Sequence, residues 1–158
     1  MRESILTGTS FGLTSGVITT LGLIVGLHAG THSRLAVVGG IITIAIADAM
    51  SDALGIHIAE ETRDGRTARH IWGATIATLV SKFFMAATFL VPFFLLPLGT
   101  AVVACVAWGM LVVVVISERL ASWRGEGRLK TIAEHLLISV VVVVVTHFVG
   151  VWVAGRFN

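Results

Sequence analysis

Residues 44–63 read I-A-I-A-D-A-M-S-D-A-L-G-I-H-I-A-E-E-T-R, which sets Asp48, Asp52, His57, Glu60 and Glu61 into an otherwise apolar segment. An ionisable group at membrane depth costs roughly 2.5–3.5 kcal/mol on insertion scales, so such groups mark an ion or substrate path. Asp48 and Asp52 are four apart, about 40° from each other on a helix, and Ala45, Ser51 and Gly55 share their face. A small-residue stripe bearing two carboxylates suits a close helix interface lined with cation ligands. Lys82 supplies a third charge near the middle of a later apolar segment, level with both acids if the two helices run antiparallel. Two carboxylates and one ammonium leave a net negative centre that a divalent cation or a proton completes. Carboxylate oxygens suit hard or borderline ions such as Mn²⁺ and Fe²⁺. Because metal displaces protons from its ligands, metal/proton exchange follows from such a set. The competing reading is an ion-pair cluster that only fixes helix packing.

The other candidates are less centred. Met50 and His57 point away from Asp48 on the helical wheel. Met50 is then a lining residue of a path, and His57 a ligand through pairing with Glu61 at i, i+4. Glu60 and Glu61 can gather cations at a cytoplasmic mouth, or be ordinary interfacial groups at a helix end. His28 and His32 are also four apart, but Gly30 and Thr31 between them favour a loop. His147 reads as hydrogen-bonded packing. No Walker loop, H-E-x-x-H, C-x-x-C or aromatic–basic alternation occurs, so soluble-enzyme and nucleic-acid readings lack a motif.

These residues need a membrane scaffold around them. The 158 residues are 56% hydrophobic and 13% charged, with mean hydropathy +0.96. A soluble domain averages about 45–50% apolar and about 25% charged. Apolar windows predict five helical spans at about 10–28, 35–59, 71–91, 98–116 and 131–154, all in a single transmembrane domain. In the first, Gly8, Gly12 and Gly16 repeat every four residues, and Gly22, Gly26 and Gly30 do so again. Two such strings admit two different neighbours, one along each half. Val140–Val145 would suggest a strand in water, but an open strand is not viable in lipid, so a helix is expected. With five spans and the N-terminus inside, Arg2, Arg63, Arg66, Arg69, Arg119, Arg124, Arg128 and Lys130 fall inside, against Arg34 and Arg156 outside. The basic residues therefore answer to lipid and topology, not to nucleic acid.

The pattern F-G-L-T-S-G-V-I-T-T-L-G-L-I-V-G-L at 11–27 resembles the first helix of the vacuolar iron transporter family, G-L-x-D-G-L-x-T-x-x-G-L-x-x-G. I-A-D-A-M-S-D-A-L-G-I-H at 46–57 resembles the family's second-helix signature, A-D-A-x-S-M-G-x-G-E/D-Y. The prolines that close span three and the ending T-H-F-V-G-V-W-V-A-G-R-F resemble its later helices. The resemblance implies a homodimer that exports Fe²⁺, and often Mn²⁺, from the cytosol in exchange for protons, by a path near the first two helices. Asp48 and Ser51 match the family's pattern. The first-helix acid is Ser15 here, the second-helix methionine is Asp52, and the acid after the glycine is Ile56. Asp52 can restore the carboxylate lost at Ser15, and oxygen in place of a thioether shifts preference toward Mn²⁺. The cytosolic metal-binding helices that some members insert between spans two and three are absent.

The expectation is thus an all-α membrane protein of five transmembrane helices, N-terminus inside and C-terminus outside, and a homodimer in an inner or organellar membrane. It is expected to be a transporter and not an enzyme, with Fe²⁺ or Mn²⁺ as cargo and no permanently bound cofactor. Asp48 and Asp52 form the site, Ser15, Ser51 and Met50 line it, Lys82 is its counter-charge, and Glu60, Glu61 and His57 stand at the entrance. Span one is expected to slide on span two along its glycine strings. The alternative is a transport-inactive relative acting as a membrane scaffold or accessory subunit. Transport of a small organic cation or of protons alone has less to support it.

Overall fold

The computed structural model describes residues 2–125 and 127–157. Among them the chain forms six helices: α1 (Arg2–Thr31), α2 (Arg34–Glu61), α3 (Ala68–Thr88), the short α4 (Val91–Leu95), α5 (Leu98–Arg124) and α6 (Arg128–Phe157). Five spans are long and apolar enough to cross a membrane, α3 counting together with α4. The helices outrun the apolar windows at most ends, because backbone hydrogen bonding continues into the polar flanks. At 1.5 Å per residue the 30-residue α1 is about 45 Å long, more than a hydrocarbon core of about 30 Å. The β-branched run Val140–Val145 is helical, as lipid requires.

The bundle is built around α1, which packs against α2, α3, α5 and α6. Nothing ionisable interrupts α1 between Glu3 and His28. Its Val17, Leu21 and Ile24 form the core with Val37 and Ile41 of α2, Met85 of α3, Phe93 of α4 and Cys105 and Val113 of α5. Each glycine string meets a different helix. A Cβ on Gly12 would stand 2.7 Å from the Thr78 carbonyl oxygen of α3, and one on Gly8 would run into the Ala74 carbonyl. A Cβ on Gly22 would stand 2.9 Å from Val142 of α6, and one on Gly30 3.3 Å from the Gly150 carbonyl. The expected two neighbours are therefore α3 and α6. The sliding surface expected between spans one and two is not there, since both strings are spent on other helices.

Local chemistry sets the breaks. Ser33 caps α2, its hydroxyl accepting from Ala36 N at 3.3 Å. Gly125 ends α5 in the left-handed region at φ 71°, where a side chain would be strained. Around Pro92 the chain tightens, Phe89 N and Leu90 N reaching back three residues to Ala86 and Ala87, before the single turn of α4. The open end of that turn is capped from α2: Arg34 donates Nη1 to Phe93 O at 2.5 Å and Nη2 to Leu96 O at 2.7 Å. Counted in the sequence only as an outer charge, Arg34 ties α2 to the α3–α5 connection. Arg34→Ala is expected to cost on the order of 1.5–3 kcal/mol for the lost charge-assisted bonds. The buried Cys105, the single cysteine of the chain, makes that measurable as faster maleimide labelling.

Candidate functional site

The approach of α3 to α1 sets Lys82 in place. With glycine at 12 and 16, the α3 backbone lies against α1, and Thr78 Oγ1 donates to Gly8 O at 3.2 Å and to Ala74 O at 2.9 Å. A Cβ on Gly16 would stand 3.3 Å from Lys82 Cγ. The lysine stem thus runs in the space the glycine leaves, and its ammonium emerges beside Ser15 and α2.

There the charges converge as the spacing predicted. Lys82 Nζ pairs with Asp48 Oδ2 at 2.6 Å, contacts Asp52 Oδ2, and donates to Ser15 Oγ at 2.9 Å. Ser15 Oγ in turn donates to Asp52 Oδ2 at 2.7 Å. Ser15 of α1 therefore bridges the ammonium of α3 and the Asp52 carboxylate of α2. The side chain of Lys82 is 2% exposed, against 27% for Asp48 and 22% for Asp52. The ammonium is sealed while both carboxylates keep an open edge.

That edge follows from the faces of α2. Its inward stripe is Val37, Ile41, Ala45, Ala49 and Ala53, with small residues letting α2 close on its neighbours near the acids. Asp48 and Asp52 precede Ala49 and Ala53 by one position and so lie at the seam. On the far side of the seam, Gly39, Thr43, Ala47, Ser51, Gly55 and Ala59 form a second small-residue stripe, all exposed. A Cβ on Gly39 or Gly55 would meet nothing within 4 Å. The close interface expected to hold Ser51 and Gly55 with the carboxylates is thus open within one chain, while Ala45 on the other flank is buried.

The remaining candidates are elsewhere. Met50 is 61% exposed and lines an apolar groove with Ile46, Leu79, Val80 and Phe83. His57 engages Thr75 Oγ1 of α3 at 2.9 Å and sits edge-on to Trp72, not against Glu61. Glu61 is exposed. Glu60 is buried and held by Arg63 Nη1 at 2.8 Å and Arg66 Nε at 3.2 Å. Arg66 also reaches Glu3 Oε1 at 3.5 Å, linking the start of α1 to the end of α2. These two glutamates and His57 do not join the Asp48–Asp52 cluster. The sequence showed no sign of this, because Arg63 and Arg66 turn back on Glu60 only once the short loop has folded.

Among the described residues no group of three or more His, Cys, Asp or Glu side chains is placed to hold one metal ion. One chain by itself brings two carboxylates and a hydroxyl together around an ammonium. The arrangement can stabilise an added positive charge at the open edge, or rest as a neutralised knot. An all-α chain with five spans long and apolar enough for a membrane, carrying an acid–lysine–serine cluster between α1, α2 and α3, is the class these observations define. No family model, no curated protein and no solved structure matches this chain.

Proposed function

We propose that the protein is a membrane transporter of divalent metal cations, with Fe²⁺ or Mn²⁺ as cargo, which it moves out of the cytosol in exchange for protons as a homodimer. The observation that carries this reading is the pair of part-exposed carboxylates, Asp48 and Asp52, on an uncovered small-residue face of α2. Carboxylates left facing lipid are costly, and a face of Gly, Ala, Ser and Thr admits another helix at close range. A second α2, related by a twofold axis, would cover both. It would also bring four carboxylates and two hydroxyls to one place, a hard-oxygen set that suits Mn²⁺ or Fe²⁺ and supplies what one chain lacks. The N-inside orientation rests on the distribution of arginine and lysine in the connections.

Two results are expected. With Cys105 replaced by alanine, Ser51→Cys forms a disulfide-linked dimer in membranes, whereas Val141→Cys on the exposed face of α6 does not. Purified protein removes the signal of free aqueous Mn²⁺ in electron paramagnetic resonance, and the Asp48→Asn/Asp52→Asn variant does not. Equal Mn²⁺ binding by both proteins would sink the assignment.

One observation favours the scaffold or accessory-subunit reading. Lys82 meets both carboxylates at once, so the cluster is held together without any added ion. The two readings separate on the response of Lys82 variants to metal.

A further inference from the structure

At the opposite end of α2 from Glu60, the bundle carries three histidines that the cluster does not use. The helix α1 runs on through Gly30 and Thr31, where a loop was expected, so His28 and His32 keep the one-turn relation. His32 N donates to His28 O at 3.0 Å, and the two rings lie 5.3 Å apart between centroids. His32 sits at φ 48°, in the left-handed region, which histidine enters more readily than a β-branched residue. That turn lets the chain reverse into α2 while the helical bond to His28 is retained. His147 of α6 lines the same groove as His28, a space of about 470 Å³ walled by Val25, Val102, Val143 and Phe148.

The histidines divide into two kinds. His57, His70 and His135 each engage a hydroxyl, of Thr75, Thr67 and Ser117 respectively, at 2.8 or 2.9 Å. The ring nitrogens of His28, His32 and His147 have no hydrogen-bond partner among the described residues. Buried imidazole normally finds a hydrogen-bond partner, as the Nδ1 atoms of the first three do. Two rings one helical turn apart that no protein group engages, His32 exposed and His28 partly so, are free to act as a chelating pair.

We infer that His28 and His32 together bind a borderline divalent transition-metal ion of the Zn²⁺, Ni²⁺ or Co²⁺ kind, at the α1–α2 end of the bundle. The two rings supply nitrogen ligands and water completes the coordination, since imidazole suits these ions where carboxylate suits harder ones. This site differs in chemistry from the oxygen cluster at mid-span. In the proposed orientation it stands on the side to which ions are delivered, but it does not depend on the transporter reading.

The test uses full-length untagged protein in the Asp48→Asn/Asp52→Asn background, so that the other candidate site is gone whatever its role. Ni²⁺ is the probe, titrated by calorimetry at neutral pH. One Ni²⁺ per chain is expected, and His32→Gln abolishes that binding phase. The exposed position of His32 makes the variant safe for folding, which slow maleimide labelling of Cys105 checks. His28→Gln gives the same loss. Ni²⁺ binding unchanged by His32→Gln, or no binding by the folded background protein, overturns the inference. Mn²⁺ binding is read in the wild-type chain alongside: no Mn²⁺ binding there with Ni²⁺ binding intact is a failure of the proposed function alone, and Mn²⁺ binding without Ni²⁺ binding is a failure of this site alone.

Discussion

Lys82→Ala is expected to lower the stability of the metal-free protein by about 3–5 kcal/mol, because removing one partner of a buried ion pair strands the other. Here two carboxylates lose their shared ammonium, which is 2% exposed, and Ser15 loses a donor. The same variant is expected to bind divalent metal more tightly than wild type. With Lys82 the cluster carries one net negative charge; without it the two aspartates carry two, matching a divalent ion. Metal at about a hundred times its dissociation constant returns about 2.7 kcal/mol, so Mn²⁺ should restore most of what the substitution removes. Thermal unfolding with and without Mn²⁺ reads both effects in one experiment. A destabilised variant that Mn²⁺ fails to rescue identifies the cluster as a packing knot and favours the scaffold reading.

Gly12→Leu is expected to be nearly as damaging for a different reason. Its Cβ alone would stand 2.7 Å from the Thr78 carbonyl and collide with Ser81 Oγ, and a backbone carbonyl cannot swing aside. Overpacking typically costs about 1–3 kcal/mol per site. At this seam it also pushes α3 off α1 and carries Lys82 away from Ser15. Maleimide labelling of the fully buried Cys105 should accelerate, and Mn²⁺ binding should weaken with it. Gly55→Leu is the counterpart. Its Cβ meets nothing within the chain, so the protomer stays intact while Ser51→Cys crosslinking falls. Equal labelling rates for Gly12→Leu and wild type would contradict the α1–α3 account.

The reach of the sequence follows from physics that acts over short range or leaves no alternative. Asp48, Asp52 and Lys82 could be placed together because charges in an apolar medium must find one another, and helical spacing fixed which two acids share a face. The two glycine strings announced two close neighbours, but not that these are α3 and α6, because choice of neighbour depends on packing across the whole bundle. Arg34 was illegible as a cap since its acceptors are main-chain carbonyls of Phe93 and Leu96, which have no sequence signature. Glu60 looked like an exposed mouth residue until Arg63 and Arg66 folded back on it. His57 turned to Thr75 and Trp72 across the α2–α3 seam, a pairing that depends on the register of two helices. Ser51 and Gly55 were read on the acids' face in a close interface, yet a single chain leaves them open.

The most direct test of the central claim is uptake of Mn²⁺ and Fe²⁺ into proteoliposomes under an imposed pH gradient, wild type beside the Asp48→Asn/Asp52→Asn variant. The account predicts uptake that follows the gradient, collapses when the gradient is dissipated, and vanishes in the variant. Wild type and variant that are equally silent, though both fold as dimers, would contradict it and leave the aspartates as the charges that hold three helices together.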